Sequence, residues 1–191
     1  MKIYRLAAAV LVVAGLLAAP SPSSAAGLRP LFQMPVPCGP TWEASTYNGH
    51  WPNANAIDLG LWQQISFFKI NVSAGQPVLA SAAGIVSQVG RDGDITSPPH
   101  GNFVYIDHGG GWVTNYLHMM DPPMVTVGQL VGRGHQLGKV GRTGTEQPHL
   151  HYSQWADGTA VRIQFNRIDI KTWAGNLSPW RNGERLTSAN C

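Results

Sequence analysis

From Pro77 to Phe165 glycine cuts the chain into short runs in which apolar and polar residues alternate: PVLASAAGIVSQVG, NFVYIDHGGGWVTNYLHM, GQLVGRGHQLGKVG and HLHYSQWADGTAVRIQF. Successive side chains of a strand point to opposite faces, so alternation with a period of two marks half-buried β-strands, and the glycines supply the turns. Two hairpins follow directly, one turning at Gly109 to Gly111 and one at Asp157-Gly158. No segment carries a helical period over the length a helix needs. With 22 Gly, 14 Pro and only 12% charged residues among 191, the composition is that of a turn-rich secreted β protein. The expectation is a single all-β domain, a twisted antiparallel β-sheet or sandwich with long connecting loops.

The N-terminus sets the compartment. Lys2 and Arg5 precede an apolar run from Leu6 to Ala19, and small residues follow around Ser24 to Ala26, the three-part pattern of a secretory signal peptide. The run is shorter than the roughly 20 residues that cross a bilayer, so residues 1–26 read as a leader and 27–191 as the mature domain, with no stable membrane insertion. Removing Lys2 and Arg5 from the 13 basic residues leaves 11 against 10 acidic, a balance that gives no reason to expect nucleic acid as a partner. Cys38 and Cys191 are then expected to form one disulfide in an oxidising, extracellular setting. The tail from about Asn166 to Cys191 carries Arg167, Lys171, Arg181 and Arg185, read as a solvated face, with an edge-covering strand pair or an anion-contacting patch as the other possibilities.

The chemistry sits in TEQPHLHYSQW, where His149 and His151 are one residue apart in a strand context and project from one face. Alone, such a pair is a pair of surface histidines. NGHWPNANAIDLG adds His50 and Asp58, and Asp58 between Ile57 and Leu59 is a carboxylate set in an apolar strand, which is costly unless paired or bound to a metal. Its structural alternative is a hydrogen-bonded Asp beside Gly60. His118, in TNYLHMM, reads as a strand residue on the same face as Tyr116 and, taken singly, as a partly buried core histidine. His100 is expected to be exposed in a loop, His108 to end a hairpin and His135 to sit in a turn. Tyr47 and Tyr116 are packing residues or oxyanion donors; Trp42, Trp51, Trp62 and Trp112 are core residues for the most part, or line a groove.

In that order, GHWPNANAID, NYLH and PHLHY, joined by Gly-rich strands, resemble the lysostaphin-like (LytM-type) zinc peptidases, and among them the staphylolysin-like branch, over roughly Cys38 to Tyr152. The family cleaves the peptide part of bacterial peptidoglycan. The resemblance implies Zn2+ held by His50, Asp58 and His151, with His118 and His149 as catalytic residues beside it. It also implies a secreted metalloendopeptidase, acting as a monomer on peptidoglycan. Many members space the first histidine and the aspartate by four positions; here the spacing is 58 − 50 = 8, as in the longer insertions of the staphylolysin-like branch. The competing readings are a non-catalytic wall-binding or regulatory module of the same fold, and a zinc D-Ala-D-Ala carboxypeptidase. The latter would need a glutamate near the last histidine, and the nearby acid, Glu146, precedes Pro148.

Overall fold

The computed structural model describes residues 26–47, 49–94, 100–170 and 184–191; the expected leader apart from Ala26, together with Lys171 and Arg181, lies outside them. No helix occurs among the described residues. A nine-stranded antiparallel sheet forms the body of the molecule. Its path runs β15 (Glu184–Thr187), β1 (Thr41–Ser45), β2 (Ile57–Gly60), β11 (Leu150–Ala156), β8 (Trp112–Met119), β7 (Asn102–Asp107), β6 (Gly84–Gly90) and β9 (Leu130–Val131), with β12 (Thr159–Val161) paired to β11. Three two-stranded sheets accompany it: β3 (Trp62–Ile65) with β4 (Phe68–Asn71), β5 (Pro77–Leu79) with β10 (Gln136–Lys139), and β13 (Gln164–Phe165) with β14 (Ile168–Asp169).

Both expected hairpins form, and at the second turn Asp157 (φ 47°) and Gly158 (φ 72°) are both left-handed, as a two-residue hairpin turn requires. PVLASAAGIVSQVG yields two strands that do not pair with each other: β5 joins β10, and β6 joins β7 and β9. The end of the basic tail becomes β15, which covers the outer edge of β1 and carries Arg185. The β3–β4 hairpin, with Phe67 and Phe68 exposed at its tip, has no counterpart in the sequence reading.

Register decides which residues meet. Direct cross-strand partners share a face, and Leu59 with Leu150, Ile57 with Tyr152, Tyr152 with Tyr116 and Tyr116 with Val104 form one continuous apolar surface. These side chains are buried and belong to one cluster with Phe32, Met34, Val36, Trp42, Leu137 and Phe165. Each large apolar side chain buried there stabilises the fold by roughly 1.5–3 kcal/mol. A one-residue slip of β2 or β11 would exchange those residues for Asp58 and His151, so burial of one face fixes what stands on the other.

The chain ends are tied together. Cys38 and Cys191 form a disulfide across a sequence separation of 153. Beside it Ser188 Oγ donates to the Val36 carbonyl at 2.6 Å, and Asn190 Nδ2 to that of Met34 at 3.0 Å.

Candidate metal centre

On the face opposite the core, Asp58 stands directly across from His151 in the β2–β11 ladder. His50, in the loop before β2, reaches the same point. Its Nε2 lies 3.1 Å from Asp58 Oδ1, and His151 Nδ1 lies 3.2 Å from the same oxygen. All three are buried, and their ligand atoms lie within 4.8 Å of one another. His50 Nδ1 lies 2.9 Å from Thr46 Oγ1 and 3.2 Å from the Ala56 carbonyl; with its proton on Nδ1, directed at these two oxygens, Nε2 presents a lone pair to a carboxylate oxygen. Two acceptors facing each other at that distance repel unless a cation lies between them. His151 adds to this, because its other nitrogen, Nε2, is buried without a hydrogen-bond partner. Ligand atoms each bound to one tetrahedral zinc lie about 3.3 Å apart, so the donor set and its spacing fit such an ion. Burial by itself would raise the Asp58 carboxyl, but the imidazoles around it, His149 first and then His151 and His50, hold it well below the ordinary carboxylate range.

Two further imidazoles flank this set. His149, two residues before His151 on the same face, has Nε2 3.5 Å from Asp58 Oδ1 and gives its Nδ1 proton to the Gln147 carbonyl at 2.8 Å. His118 gives its Nδ1 proton to the Thr143 carbonyl, also at 2.8 Å, and its ring centroid is 4.8 Å from that of His149. In both residues the backbone acceptor fixes the tautomer, leaving Nε2 as the basic atom. Burial first, then His149 and His151, push the His118 pKa down to about 3, which leaves the ring neutral at neutral pH.

His118 does not share a face with Tyr116. Strict alternation would have put both on one side, but the backbone at His118 is left-handed (φ 65°), and the β7–β8 ladder is irregular between Asn102 and Val104. Tyr116 turns into the core, where its hydroxyl accepts from the Ser81 amide at 3.0 Å, so it is no oxyanion donor. His118 turns to the cleft. A non-glycine residue held in this region costs about 1–3 kcal/mol, a strain the hydrogen bonds of the site maintain.

These groups line a cleft of about 310 Å³, walled by Tyr47, Trp51 and the segment from Gly144 to Gln147. Tyr47 stacks on the His50 ring with centroids 4.5 Å apart, and Trp51 is 48% exposed. Trp42 and Trp112 are core residues, and Trp62 lies under the Lys69 ammonium. His100, expected to be exposed, is half-buried instead, its ring centroid 4.9 Å from that of Trp51 and 5.5 Å from that of Phe103. His108 is held between the Ala83 carbonyl and Thr114 Oγ1, and His135 lies beside Gln129, both outside the cleft. The carbonyls of Ala56, Thr143 and Gln147, which orient three of the histidines, left no signal in the sequence because any residue supplies a carbonyl.

Residues 67–163 match Peptidase family M23, a span that holds His118, His149 and His151 while His50 and Asp58 precede it. The cell division protein DipM of Caulobacter vibrioides is 38% identical over 94 residues, 49% of this chain and 15% of that protein. The peptidoglycan DD-endopeptidase ShyA of Vibrio cholerae is 39% identical over 97 residues, 50% of this chain and 21% of that one. The chain thus spans only a small part of these relatives' length. Among solved structures, a zinc-containing peptidase from Vibrio cholerae aligns with a TM-score of 0.50 at 25% identity, covering 68% of this chain and 38% of that one. The M23 metalloprotease pseudoalterin shares the fold with a TM-score of 0.55 at 18% identity, covering 83% of this chain and 95% of its own. By the family match and the fold together, the chain belongs to peptidase family M23.

Proposed function

We propose that this chain is a secreted zinc metalloendopeptidase, made with the leader 1–26 and acting as a monomeric domain 27–191 on peptide bonds of bacterial peptidoglycan, in stem peptides or cross-bridges. The convergence of His50 Nε2, Asp58 Oδ1 and His151 Nδ1, with two lone-pair imidazoles beside them, carries this reading. Family membership and the endopeptidase names of several relatives support it. The eight-position spacing from His50 to Asp58 supports the staphylolysin-like branch.

Zinc held by His50, Asp58 and His151 would supply Lewis acidity to the scissile carbonyl and the attacking water. His118 and His149 handle the proton. Each holds its Nδ1 proton against a carbonyl, so each can take a proton at Nε2 and afterwards donate it to the leaving amine or to the oxyanion.

The test is clearance of purified peptidoglycan with release of free amines, measured before chelation, after chelation and after zinc is restored. Activity should vanish and return. Lysis unaffected by chelator would remove the metal from the reaction. A protein that sediments with the wall but releases no amine from any wall type would be the non-catalytic module instead.

A further inference from the structure

The cleft has a one-sided charge. Among the described residues no lysine or arginine lines it, whereas two carboxylates do, Asp58 and Glu146. Asp58 is committed at the floor, buried and within 3.5 Å of three imidazole nitrogens. Glu146 is exposed on the rim and has no ion pair or hydrogen bond among the described residues. Its place is nonetheless well defined. The segment that bears it is pinned at one end by the Thr143 carbonyl, which accepts from His118, and at the other by the Gln147 carbonyl, which accepts from His149. The same cleft presents the half-exposed Trp51.

We propose that Glu146 is a specificity-determining residue, by which the cleft takes peptides carrying a cationic amino group close to the scissile bond and turns away a chain that ends there in a free carboxylate. The proposal deepens the peptidase reading above and rests on it. An ammonium group in the cleft meets the Glu146 carboxylate and an indole face, both of which attract cations. A terminal carboxylate meets Glu146 and no lysine or arginine, and the His50, Asp58 and His151 set is reserved for the scissile group. This charge pattern suits cutting within a chain and opposes trimming one from its free carboxyl end.

The experiment measures dissociation constants by calorimetry with the zinc-loaded full chain carrying His118→Ala, so that the peptides stay intact. The probes are a lysine-containing peptide with its side-chain amine free, the same peptide with that amine acetylated, and the free-amine peptide with its C-terminus as acid or amide. An exposed ion pair predicts that acetylation weakens binding about two- to fivefold, and that the amide binds better than the acid. Glu146→Gln should bring the acid-to-amide ratio close to one and leave of the acetylation ratio only what the Trp51 indole supplies, and Glu146→Lys should invert the acid-to-amide ratio. High salt should shrink them. Ratios that are the same in all three proteins, ratios of one with Glu146 present, or no binding of any peptide would overturn the proposal. If the ratios behave as stated but the protein with His118 intact releases no amine from any wall, the selectivity stands and the peptidase reading falls.

Discussion

At the scale of single residues, the division of labour among four histidines follows from their places about Asp58 Oδ1, which His50 Nε2 and His151 Nδ1 approach to 3.1 and 3.2 Å. His118 and His149 each hold Nδ1 against a carbonyl, whereas His151 turns Nδ1 towards Asp58. Removing His151 is therefore expected to abolish metal binding, and finding stoichiometric zinc in His151→Ala by elemental analysis would contradict it. His118→Ala and His149→Ala are expected to keep the metal and lose on the order of 10²–10⁴ in turnover, the range of general acid–base catalysis. The sequence offered all five positions, because a carboxylate in an apolar strand and an HxH pair are local patterns. It misjudged the face of His118, because a left-handed residue inside a strand cannot be read from alternation.

At the scale of elements, the site depends on strands and loops packed too closely for a side chain to intervene. Gly101 is left-handed (φ 64°), and a Cβ there would lie 2.3 Å from the Thr143 carbonyl oxygen, the acceptor that orients His118. Gly101→Ala is expected to lower turnover while leaving zinc bound, since the ligand set comes from β2, β11 and the loop before β2. It should also cost about 1–2 kcal/mol of stability for the left-handed alanine alone, read from denaturant unfolding. Loss of zinc in this variant would show that the two groups of histidines are not positioned independently. The hairpins at Gly109 to Gly111 and Asp157-Gly158 were legible because turn chemistry is local. The pairings of β5 with β10 and of β15 with β1 were not, because long-range partners leave no mark in either segment.

At the scale of the whole molecule, one disulfide and one ion are expected to hold the ends and the site. Opening the Cys38–Cys191 bridge frees a loop whose separation is 153. The chain-entropy relation puts the effect on the order of 4–5 kcal/mol, or roughly 8–20 °C in melting temperature for a domain of this size. Cys191→Ser should show this in a thermal melt and should make the melt insensitive to reductant; an unchanged melting temperature would refute it. Zinc bound only to the folded protein should stabilise it by about 2.7 kcal/mol at a free concentration a hundred times its dissociation constant. The melting temperature should accordingly drop on chelation, and a melt indifferent to both zinc and chelator would mean that the cluster binds no ion. The sequence by itself determined the β class, the turns, the cysteine pair and the ordered set of His50, Asp58, His118, His149 and His151, since each rests on residue type and local period. Only the tertiary structure decided that β2 and β11 are neighbours in the register that sets Asp58 across from His151, and that backbone carbonyls hold Nδ1 of His118 and of His149. That register follows from burial of the opposite face of the sheet, and those carbonyls from the path of the loop before β11, properties of the packed whole that no single segment carries.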